Sequence, residues 1–143
     1  MLRYLAGIVS LIFILGFFVT TTYASDSLEF QLATINQKGY VSKDHISVAR
    51  FRRLLEQLSS TYVEDRQQIA DMSVKAQQIL RDNGIEESLL TIMEGLNQIL
   101  SMKLENQKYA EYVAFYVTLR DKGQSHSEAI SGLKAILRGL GVY

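Results

Sequence analysis

Apolar residues recur along most of the chain at the spacing of one helix face, and the pattern predicts helices throughout. Leu28, Leu32 and Ile35 share the face of a short helix over about 28–37, with Asp26 as its cap, Glu29 completing a capping box and Lys38-Gly39 as its exit. Val48, Phe51, Leu54, Leu55 and Leu58 form a stripe over about 43–59, capped by Ser42. Thr61 and Glu64 read as a second capping box, opening a helix that buries Ile69, Met72, Ala76, Ile79 and Leu80 and stops at Asn83-Gly84. Over about 86–103, Leu89, Ile92, Met93, Leu96, Ile99 and Leu100 lie opposite Glu94, Asn97 and Gln98. The stretch 107–122 differs, because Tyr109, Ala110, Tyr112, Val113, Ala114, Phe115, Tyr116, Val117 and Leu119 cover nearly its whole circumference. A helix apolar nearly all round is usually buried among neighbours, which predicts a place at the centre. A last helix after Ser125 turns Ile130, Leu133, Ile136, Leu137 and Leu140 inward. No stretch shows the sustained alternation of a half-buried strand. The predicted fold is all-α: a compact single-domain bundle of five or six helices over 25–143, built around 107–122. Whether 86–103 and 107–122 form one bent helix is left open by the weak boundary at 101–106.

The first 24 residues carry a different pattern. Arg3 is followed by an apolar run from Leu5 to Val19, and Thr22 and Ala24 stand at the small-residue positions before a cleavage point. These are the three parts of a secretory signal peptide. An uncleaved anchor is the alternative, since no charge falls between Arg3 and Asp26 and the stretch is long enough to span a bilayer. Either way the expected location of the remaining chain is outside the cytoplasm: periplasmic or secreted, or held at the membrane by a retained N-terminal helix.

Composition narrows the chemistry. Lys and Arg total 15, as do Asp and Glu, so the chain lacks the basic excess that drives nucleic-acid binding. Cysteine is absent, which excludes disulfides, thiolate nucleophiles and zinc-thiolate sites. Proline is also absent, in keeping with long uninterrupted helices.

The stretch DKGQSHSEAI (121–130) sets His126 between two serines. Gly123 suits a helix exit, and Ser125 with Glu128 forms a capping box at the next start. TINQKGYVSKDHI (34–46) resembles TLRDKGQSHSEAI (118–130), which predicts the same turn chemistry twice and places His45 and His126 in exposed first turns. Ser125 and His126 are adjacent, so they do not face each other as nucleophile and base, and no Gly-x-Ser-x-Gly elbow occurs. No His-x-x-x-His or Glu-x-x-His spacing supports a metal. No catalytic residue, cofactor or metal ligand is therefore expected, and Glu86-Glu87 is read as acid in a helix first turn.

Two groups remain as weak partner-binding candidates. Tyr109, Tyr112 and Tyr116 form an aromatic stripe that serves either as core or as a wall for a ligand or partner, with core the better reading. Arg50, Arg52 and Arg53 are the one basic cluster, suited to an acidic partner or lipid headgroups but more simply a solvated face, with Arg52 able to pair with Glu56. The expected function is that of a non-enzymatic binding or accessory protein. It would act through a protein partner by helix docking, with Arg50, Arg53 and exposed tyrosine edges as the contact. The alternatives are a small-molecule-binding bundle with a cavity beside Tyr112 and Tyr116, an enzyme joining His45 and His126 in a cleft, and a membrane-anchored envelope subunit. No nucleic acid is expected, and membrane contact only if 1–24 is retained.

Overall fold

The computed structural model describes residues 26–100 and 106–141; the expected signal segment over 1–24 lies outside the described residues. Six helices and no strand occur among the described residues: α1 Leu28–Gln37, α2 Ile46–Thr61, α3 Arg66–Asp82, α4 Leu89–Asn97, α5 Tyr109–Asp121 and α6 His126–Gly139. None of them is long and apolar enough to cross a membrane.

Two helix ends follow the glycines. After α3, Gly84 takes a φ of 79°, its N–H reaches the Arg81 carbonyl at 2.9 Å and the Ile85 N–H reaches Leu80 at 2.8 Å. After α5, Gly123 at φ 89° repeats the arrangement, with the Gln124 N–H on Leu119 at 3.2 Å. This double closure takes up carbonyls that a helix end leaves orphaned, and only glycine enters the left-handed region without a Cβ penalty.

The helix starts differ more from expectation. Ser27, not Asp26, precedes α1, and its side chain makes no capping bond. His45 caps α2 in place of Ser42, its ring accepting the Ser47 N–H. α2 runs on to Thr61, so the Thr61–Glu64 box does not form, and Asp65 with Gln68 makes the reciprocal box of α3. Ser88 caps α4, which leaves Glu86 and Glu87 ahead of the helix and not in its first turn. Only the Ser125–Glu128 box stands where the sequence placed it. The two Lys-Gly turns are therefore not equivalent. At the first, Lys38 takes the left-handed conformation at φ 55° ahead of Gly39, and the downstream cap is a histidine.

α4 closes at Asn97, and 98–100 and 106–108 are not α-helical, so 86–103 and 107–122 are not one bent helix. α4 also takes the central place expected of 107–122. It packs against α1, α2, α3 and α6, whereas α5 lies mainly on α3 and α6. Leu89, Ile92, Met93 and Leu96 of α4 are fully buried. In α5 the outward positions include Ala110, Ala114 and Phe115, the last 55% exposed. Alanine counts as apolar in a periodicity, yet its single methyl gains little from burial, so an apolar circumference rich in alanine does not compel enclosure. For α6, Ile136 and Leu140 also face outward, contrary to expectation.

Glu64 has a role that its local motif concealed. Its buried carboxylate accepts the N–H groups of Tyr109 at 2.8 Å and Ala110 at 3.1 Å, capping α5, whose own N-cap residue Lys108 makes no side-chain capping bond. Glu64→Ala strands two helix donors and is expected to lower stability by about 2 kcal/mol, read as a lower urea midpoint at unchanged slope.

Candidate functional site: an apolar groove beside a buried polar junction

The tyrosine stripe is core. Tyr62 meets Tyr109 and Tyr112 edge-on at centroid distances of 5.2 and 5.4 Å. Tyr109 shares a hydrogen bond with Ser73 at 2.8 Å, Tyr112 donates to Gln107, and Tyr116 pairs with His126. Burial pushes the Tyr109 and Tyr116 hydroxyls well above the usual range, so both stay neutral. All three rings are buried and present no exposed edge to a partner.

The arginine cluster is largely tied down. Arg50 pairs with Glu94 across α2 and α4, and Arg52 turns to Glu29 at 3.1 Å instead of to Glu56. Glu29 takes Arg66 on its other oxygen at 3.2 Å. Burial pushes the Glu29 carboxyl up, but its own backbone amide and the two guanidiniums outweigh this and hold it below its ordinary value. Arg53 lines a shallow cleft with Arg50, Gln57 and Asn97 and has no carboxylate partner among the described residues.

The histidines are each engaged internally. His45 Nδ1 lies 2.7 Å from Ser47 Oγ, but Ser47 is buried at the first turn of α2, and the contact is part of the cap. His126 is half-buried, against the expectation of an exposed ring. Its Nδ1 meets Tyr116 Oη at 2.8 Å, while Ser125 Oγ is taken by Glu128. Among the described residues no three His, Asp or Glu side chains gather as a metal site would need.

Two features were not anticipated. The first is a junction where the segment before α4 meets α5 and α6. Arg120 donates to Glu87 Oε2 at 3.1 Å and to the Gln124 carbonyl at 3.0 Å, and Gln77 donates to the Glu87 carbonyl at 2.9 Å. Arg120 falls four residues after Tyr116 and seven after Val113, on the buried face of an apolar helix. A lone cation there is the signal that points to a buried counter-charge.

The second is an open apolar groove of about 450 Å³ between α3 and α5. The two helices run side by side in the same direction, joined by Ser73, midway along α3, to Tyr109 at the start of α5, and by Asn83 to Asp121 at their C-terminal ends. Met72, Ala76 and Ile79 form one wall and Ala110, Val113, Ala114 and Val117 the other. The small alanine side chains open the depression, and Lys75 is its one charged lining residue. A second groove, of about 400 Å³ between α1 and α3, is more polar, with Gln31, Gln67, Asp71 and Gln78 beside its apolar residues.

A family model described as MoxZ matches residues 31–136. The chain belongs to the MoxZ family. No curated protein and no solved structure matches it. The MoxZ match begins within α1 and ends within α6, so it takes in the groove, the Glu87–Arg120 junction and both histidines.

Proposed function

We propose that this MoxZ-family protein is an exported, non-enzymatic accessory protein that holds an amphipathic helix of a protein partner in the α3/α5 groove. One observation carries the reading: a helix with an apolar circumference turns only one side to the core, and its other apolar side forms an open trough with α3. An occupying helix lies against about 20 Å of α5, given its 13 residues, and reaches in with large apolar anchors one helical turn apart. Lys75 has no carboxylate partner among the described residues, which favours a partner helix with an acidic residue at that wall. The non-enzymatic reading is supported by the internal engagement of both histidines and of Ser125. The export reading rests on the signal pattern of 1–24.

Ala114→Arg fills the trough with a charge and is expected to weaken a partner about 30-fold or more without changing helicity. The test is capture from cell envelopes with the wild-type chain, Ala114→Arg and Arg53→Glu. A stoichiometric protein lost with Ala114→Arg and kept with Arg53→Glu supports the groove. The reverse pattern moves the contact to the α2–α4 cleft. A bound metabolite with no protein replaces the reading with a small-molecule one.

A further inference from the structure

Tyr116 is fully buried, and among the described residues its hydroxyl has one hydrogen-bond partner, His126 Nδ1 at 2.8 Å. The rings meet edge-on at 5.6 Å. The other side of the imidazole lies against α4 at Gly95. A Cβ there would sit 2.5 Å from Cε1 and 2.9 Å from Nε2. One imidazole therefore touches α4 and α5 from the first residue of α6.

Burial opposes a second proton on the ring, and the charged groups around it act in opposite senses. α5 presents Arg120 beside Tyr116, and the segment before α4 presents Glu87, whose carboxylate is already engaged by Arg120. α4 carries one charged side chain, Glu94, which is turned to Arg50. On α6 itself Glu128 folds back to Ser125. Only the tautomer with its proton on Nε2 gives the buried Tyr116 O–H an acceptor, at Nδ1, and the neutral ring is assigned that form. Protonation at Nδ1 removes that acceptor, strands a buried O–H, and places a charge at the positive end of α6.

We propose that His126 is a pH-responsive latch: neutral, it fastens α5 and α6 to α4, and protonated, it lets them part. Burial lowers the ring's proton affinity; Glu87 pulls the other way and Arg120 adds to burial, with a net value below the ordinary one. The latch's contribution is thus complete above the unfolded value of about 6.5, declines as pH falls below it, and is gone once pH has passed the lowered folded value. With one proton involved, the opening equilibrium rises at most about tenfold per pH unit in that window. Glu29 and Glu128 are both held below their ordinary value, so both are still ionised where the response begins.

The test is amide hydrogen exchange of the full chain at pH 7.5, 6.0 and 5.0, corrected for intrinsic rates, with His126→Gln, His45→Gln and an NMR titration of both wild-type imidazoles. The latch is supported if amides of α6 lose protection below about pH 6.5 in the wild type and in His45→Gln but not in His126→Gln. It is overturned by a flat wild-type profile, by an equal acid response in His126→Gln, or by a His126 titration at or above the ordinary value. Should His126→Gln fail to fold, the wild-type titration and exchange profile decide.

Discussion

Glu87→Ala is expected to lower the stability of the bundle by about 3–5 kcal/mol. The Arg120 side chain it abandons is 10% exposed and that of Glu87 16%, so water does little to screen the pair. Arg120 keeps its bond to the Gln124 carbonyl, but its Nε is already buried without a partner, and the loss of Glu87 leaves a charge in the interior with one neutral acceptor. The cost comes from that stranded charge more than from the ion pair's net worth. Glu87→Leu with Arg120→Met should therefore lose much less than Glu87→Ala alone. Lys38–Glu86 gives the contrast: a similar 3.2 Å separation with both side chains about two-thirds exposed, and about 0–1 kcal/mol expected from Lys38→Ala. Urea unfolding of the three variants checks this. Equal losses from Glu87→Ala and Lys38→Ala would show that the junction is solvated.

Gly95→Val is expected to destabilise by about 2–3 kcal/mol through overpacking at the α4–α6 contact. The new side chain meets the half-buried His126 ring and the Cδ1 of the buried Ile130, 2.9 Å from an ideal Cβ. Two effects oppose each other in Gly95→Ala. Alanine restores about 1 kcal/mol of helix propensity, while one methyl in a filled space costs about 1–3 kcal/mol, so a smaller net loss is expected. The displaced imidazole supplies a second readout, because a His126 pushed toward solvent should titrate nearer its ordinary value. A stabilised Gly95→Ala chain with an unmoved His126 titration would show that the contact has slack.

The helices were legible in the sequence because their information is local. Periodic apolar residues, Asn83-Gly84, Gly123 and the Ser125–Glu128 pair act within one or two turns. Where two polar residues compete near a start, local pattern does not choose between them, as Ser42 against His45 and Thr61 against Asp65 show. Long-range pairings were illegible for a different reason. Glu64 answers α5, and Glu87 answers Arg120, across stretches that no window spans. The tyrosine stripe is core at the spacing its sequence shows, because Tyr62, Ser73, Gln107 and His126 absorb it. The groove was hidden in the count of apolar positions, which gave Ala110 and Ala114 the same weight as the leucines of α4.

The capping of α5 by a residue far up the chain also bears on the order of assembly. A helix whose own N-cap residue supplies no side-chain capping bond takes its cap from Glu64 at the α2–α3 corner. Its first turn is then expected to close on the downhill side of the folding barrier. Removing that carboxylate should quicken unfolding and leave the refolding rate nearly untouched, a φ-value near zero at a position whose equilibrium effect is large.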